Sequence, residues 1–116
     1  MTHYVPTEIN VREEAGICIF EVLGRLTIGE PSDQLTAALN SALEQGARKI
    51  AIDLNGVPQI DSSGISALVR ASVSLTRENG ILHVVCKPGR VRDALTVTRL
   101  VEAIPTFETL AQASKF

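Results

Sequence analysis

Residues 53–68 read Asp53-Leu54-Asn55-Gly56-Val57-Pro58-Gln59-Ile60-Asp61-Ser62-Ser63-Gly64-Ile65-Ser66-Ala67-Leu68, and this stretch decides the fold. It leaves an apolar run, Ile50-Ala51-Ile52-Asp53-Leu54, whose alternation predicts a strand in the middle of a sheet. Asn55-Gly56-Val57-Pro58 then breaks that strand with turn residues. From Ser63 the apolar positions change to helical spacing, so a polar cluster stands at a strand-to-helix junction. A helix start presents unpaired backbone N–H groups and a partial positive charge, so a phosphate formed on a serine there is expected to find donors aimed at it. The plainer reading of the same residues is that Ser62 or Ser63 caps the helix while Asp61 complements its dipole.

Working outward, residues 8–13 and 17–23 are short β-prone segments joined by Glu14-Ala15-Gly16, the pattern of a hairpin. After Gly29, Leu35, Ala38, Leu39, Ala42 and Leu43 form one apolar helical stripe, with Pro31 near its start and Gly46 just past its end. The helix at 63–79 carries Ile65, Leu68, Val69 and Ser72 on one side and Ala67, Ala71 and Leu75 on another, and both sides are apolar enough to be core. Gly80 is expected to cap it. Residues 81–86 are almost continuously apolar, as in a strand covered on both faces. A third helix follows through Val91, Ala94, Leu95 and Thr98. A short strand near Ala103 and a short fourth helix over 106–113, after Pro105, complete the pattern. Two strand-helix-strand units in succession imply an α/β fold with parallel pairing. The expected architecture is one domain over 1–116, with a mixed four- or five-stranded sheet and about four helices packed mainly on one face.

Composition narrows the function. The 116 residues are 45% hydrophobic and 21% charged, which suits one packed globule rather than a disordered chain. A net charge of -2 offers no surplus of cations for a nucleic-acid backbone or an anionic membrane surface. No apolar run approaches the roughly 20 residues of a membrane helix, and the opening Met1-Thr2-His3-Tyr4-Val5-Pro6 lacks the features of a signal peptide, so a cytoplasmic location is expected. Cys18 and Cys86, far apart and inside apolar strand-like runs, read as small buried hydrophobes.

The run Ile60-Asp61-Ser62-Ser63-Gly64-Ile65, preceded by the strand at 50–54 and followed by an apolar helix, strongly resembles the anti-sigma factor antagonists, whose fold is the STAS domain. The resemblance extends over nearly the whole chain. It includes Gly24-Arg25-Leu26 after the second strand, Gly80-Ile81-Leu82 at the fourth, and Val97-Thr98-Arg99-Leu100 after the third helix. It implies that Ser62, directly after the aspartate, is the phosphoacceptor. It further implies that Asp61, Ser62, Ser63, Gly64, Leu26 and Thr27 meet a partner, an anti-sigma factor that is also a serine kinase, and that a serine phosphatase reverses the modification. Unmodified protein would capture the anti-sigma factor and free a sigma factor for transcription. The family often carries an acidic residue after the Gly-x-Leu turn, where this chain has Thr27.

Other functions have less behind them. Ser62, Asp61 and His83 could be imagined as nucleophile, orienter and base, but no Gly-x-Ser-x-Gly elbow surrounds the serine and His83 alternates within a strand. No enzyme activity is expected. His3 and His83 are the only histidines and neither has a ligand at helical spacing, so no metal is expected, and without a Gly-rich phosphate motif no cofactor either. The competing binding role is a module of the same fold in another signalling scaffold or in a lipid-transport complex, with the Ser62 hydroxyl as the discriminating feature.

Overall fold

The computed structural model describes residues 6–116, so His3 lies outside it. The elements run β1 (Glu8–Glu14), β2 (Ile17–Leu23), α1 (Glu30–Glu44), β3 (Lys49–Gly56), α2 (Ser62–Arg77), β4 (Ile81–Val85), α3 (Arg90–Val97), α4 (Leu100–Ala103), β5 (Thr106–Phe107) and α5 (Leu110–Ala113). They form one five-stranded sheet in the order β1-β2-β3-β4-β5. The β1–β2 pair is antiparallel and every later pair is parallel, the mixed sheet expected from the hairpin and the two crossovers.

Period-two alternation divides the strands between two cores. Phe20 and Val22 of β2, Ile50, Ile52 and Leu54 of β3, and Leu82 and Val84 of β4 pack on one side. They meet Leu35 and Leu39 of α1, Leu68 and Leu75 of α2, Leu95 of α3 and Leu100 of α4. Each large side chain buried here contributes roughly 1.5–3 kcal/mol. The other side holds the smaller cluster of Ile17, Ile19, Ala51, Val85 and Ala113, covered by the short α5. Four helices on one face and a strap on the other agree with the expected arrangement.

The C-terminal quarter differs from the sequence pattern. Leu100–Ala103, where a strand was expected, is one helical turn, and the segment after Pro105 is a strand followed by a separate turn of helix. Thr106 and Phe107 pair with Val84 and Val85, so an open sheet edge overrides their helical spacing. Thr109 then starts α5 through a capping box with Gln112. At the end of α2, Asn79 rather than Gly80 takes the left-handed conformation, with φ 62°. The Gly80 amide closes onto Leu75 O at 2.6 Å. Gly80 is required for space, because a Cβ there would lie 2.7 Å from Arg48 O.

Candidate functional site

Two loops meet where β2 and β3 end. Gly24 N–H donates to Gly56 O at 3.0 Å and Leu26 N–H to Gln59 O at 2.9 Å, while Asp61 N–H donates to Leu26 O at 3.3 Å. Leu26 and Ile60 form an isolated parallel bridge. The loop leading to α1 is thereby laced to the loop leading to α2. Gly64 makes the approach possible, because a Cβ at that position would overlap the Leu26 carbonyl oxygen and lie 2.8 Å from Ile60.

Asp61, not a serine, is the N-cap of α2. Its Oδ1 accepts from Ser63 N at 2.9 Å and Gly64 N at 3.2 Å, and its Oδ2 accepts from Ile28 N at 2.9 Å. Partial burial pushes the carboxyl upward, but the Ile28, Gly64 and Ser63 amides outweigh it and hold the group below its ordinary range. Two of the donors at the helix start, the Ser63 and Gly64 amides, are therefore already occupied by a carboxylate. A phosphate on Ser62 would stand beside this anion instead of replacing an empty shell.

Ser62, the first residue of α2, is exposed, and Ser63 is half-buried. Ser62 opens a shallow cleft of about 240 Å³ that also receives Ile28, Asp33 of α1, and Ser66 and Arg70 of α2. Ser62, Ser66 and Arg70 fall at i, i+4 and i+8, so one wall of the cleft is a single helix stripe. Farther along α2, Val69 and Val73 are 42% and 45% exposed, and across the cleft Ile28 is 77% exposed. Apolar surface and hydroxyls thus share one face, the face that the two-sided apolar pattern of 63–79 left open.

Of the six residues expected to meet a partner, Asp61, Ser62, Ser63 and Thr27 retain surface. Leu26 has none and Gly64 is buried, so both shape the junction through backbone and packing. Thr27 turns its carbonyl inward to the Ser32 hydroxyl at 2.7 Å. Asp33 of α1 lines the same cleft as Ser62. Nothing local marks Asp33, whereas the spacing of Ser66 and Arg70 from Ser62 was readable.

His83 is far from this chemistry. Its neighbours Leu82 and Val84 face the α2 side, so its ring points to the opposite face of the sheet. There Nδ1 lies 2.8 Å from Ala113 O and the ring stacks on Phe116 at 4.0 Å. No group of three or more metal-ligating side chains occurs among the described residues.

The model of the STAS domain family matches residues 8–113, more than nine-tenths of the chain. The protein belongs to the STAS domain family. Solved structures agree with this placement. An anti-sigma factor antagonist from Mycobacterium paratuberculosis is 24% identical with a TM-score of 0.82, covering 93% of this chain and 91% of that one. SpoIIAA, a Bacillus cell fate determinant solved in its phosphorylated form, is 18% identical with a TM-score of 0.71, covering 91% and 96%. A sulfate transporter family protein from Wolinella succinogenes is 25% identical with a TM-score of 0.74, covering 86% and 83%. No curated protein matches the sequence. In this STAS domain the Asp-Ser-Ser-Gly run of the sequence forms a capped helix start with the exposed Ser62 at its first position.

Proposed function

We propose that this STAS domain is an anti-sigma factor antagonist whose unphosphorylated form binds an anti-sigma factor with serine-kinase activity, and that phosphorylation of Ser62 ends the binding. The observation that carries the reading is the exposed Ser62 hydroxyl at the mouth of α2, with Ile28 lining the same cleft and Val69 and Val73 exposed farther along the helix. The likeness to anti-sigma factor antagonists supports the choice of partner. In this scheme the domain catalyses nothing and acts in the cytoplasm. Its kinase modifies it, and a serine phosphatase resets it.

The energetics follow from charge. A phosphate adds about -1.5 to -2 charge. On Ser62 it would lie against the Asp61 carboxylate and near Asp33, with Arg70 as the cation lining the same cleft. The Ser63 and Gly64 amides are already bonded to Asp61, and in this scheme the anion projects toward the partner and must be desolvated if the contact is to persist. Truncating or burying a charge at an interface without a partner group costs several kcal/mol, enough to dissociate the complex without refolding the domain.

The second reading, a STAS module in another scaffold or in a transport complex, is favoured by the likeness to the sulfate transporter family protein. One experiment separates them. Candidate serine kinases from the same genome are incubated with the chain and ATP, and fragmentation mass spectrometry distinguishes Ser62 from Ser63. The expected result is label on Ser62, constitutive binding of that kinase by Ser62→Ala, and poor binding by Ser62→Asp. Equal binding by the two variants defeats the switch.

A further inference from the structure

Among the described residues the sheet has one long unpaired edge, β1. No strand lies beyond β1 among the described residues, while the opposite edge strand, β5, spans only two residues. On the main face, Ile9 of β1 packs against the core beneath the helices. A cleft of about 740 Å³ between the hairpin and α1 leaves Val11 of β1 51% exposed. An edge of this length invites another strand unless its side chains forbid it.

Backbone polarity determines which groups β1 offers. The hairpin turns through Ala15 and Gly16, both at positive φ, between the paired residues Glu14 and Ile17. The pair flanking a two-residue turn is hydrogen-bonded, and bonded and non-bonded pairs then alternate. Residues 8, 10, 12 and 14 therefore bond to β2, and Ile9, Val11 and Glu13 direct their N–H and C=O groups outward. Two copies related by a twofold axis can pair these edges antiparallel only in registers that set odd positions against odd.

We propose that β1 is a self-association edge, pairing with β1 of a second copy so that Asn10 faces Asn10 across the axis. This register sets Ile9 against Val11 twice on the helix side and Glu8 against Arg12 twice on the other. Both pairings are favourable in kind. Shifting the centre to Val11 opposes Glu8 to Glu14, and shifting it to Ile9 opposes Arg12 to Pro6, so charge selects the middle register. Arg12 already meets Glu14 at 2.9 Å with both side chains exposed. Such a surface pair is weak enough for the guanidinium to take a second carboxylate. The contact is confined to one short strand edge, so association is weak and concentration-dependent and the fold does not depend on it. α2 packs on β4 and α1, and the inference is independent of what Ser62 does.

Sedimentation equilibrium of the full chain over two decades of concentration tests it. The expected result is a monomer–dimer equilibrium. Val11→Pro removes an outward N–H that β2 does not use, and should abolish the dimer while preserving the thermal transition. Glu8→Arg or Arg12→Glu alone should weaken association about tenfold, and the double exchange should restore it. In a Cys18→Ala background, Asn10→Cys should oxidise to a disulfide-linked dimer, whereas Arg12→Cys, displaced from the axis, should not. A monomer at every concentration, or a dimer indifferent to Val11→Pro, overturns the proposal.

Discussion

At the end of β3 the chain enters α2 through Asp61, whose carboxylate takes three backbone amides. At the end of β4 it enters α3 through Gly89, which provides no side-chain cap, and Arg90 and Arg92 follow in the first turn. Both helices follow the C-terminal ends of neighbouring parallel strands. The first start is closed, with Gly64 pressed onto Leu26 and the Ile28 loop tied to the cap. The second is open, with empty space around the position of a Cβ on Gly89 and the Arg92 guanidinium turned back to Cys86 O at 2.7 Å. A helix start becomes a rigid platform when a distant loop is fastened to it, and the fastening uses the donors that an anion would otherwise find.

The largest test of this contrast exchanges glycine for alanine at each start. Gly64→Ala forces backbone against backbone and should cost about 3 kcal/mol, lowering the melting temperature by on the order of 10 °C. Gly89→Ala meets no neighbour and costs only its backbone conformation, φ 156° and ψ -167°, about 1.5 kcal/mol. Equal losses in thermal melts would mean that the junction at Gly64 yields freely and is no platform.

Next in size is the cap. Asp61→Ala should cost about 1–2 kcal/mol at neutral pH in urea unfolding, and should increase amide exchange at Ile28 as well as at Ser63 and Gly64. The folded carboxyl titrates below its unfolded value. Its contribution is therefore full above the unfolded value of about 3.9 and is lost as pH falls through the lower folded value. The gap between wild type and Asp61→Ala should be constant from pH 7 to about pH 5 and shrink below about pH 4. A gap unchanged in acid would assign the cap's effect to shape instead of charge.

The smallest effect has the opposite sign. Arg90 opposes the α3 dipole at an exposed position. Arg90→Glu should raise stability by roughly 0.3–1 kcal/mol, screened by salt, in thermal melts at low and high ionic strength. A loss instead would show that the open start is stabilised by something beyond the local dipole.

The legible parts of the molecule were those with strong period or punctuation. β3, with Ile50, Ile52 and Leu54 turned to one side, and the hairpin at Ala15-Gly16 follow from alternation and turn chemistry that act over a few residues. The Asp-Ser-Ser-Gly run located the junction and its exposed hydroxyl. The role of its aspartate was less readable, because the third bond of the cap comes from Ile28, 33 positions earlier.

Spacing within single segments was enough to set the succession of strands and helices, the two-sided burial of β4 and the place of Ser62 at a helix start. The tertiary structure decided which side of α2 faces water, because Ala67, Leu68 and Leu75 are buried by contacts with remote strands while Val69 and Val73 are not. It also decided that Thr106 and Phe107 are a strand and that Asp33 joins Ser62 in one cleft. Segments of two to four residues have too little local free energy to choose a conformation, so the neighbours they meet in space choose for them.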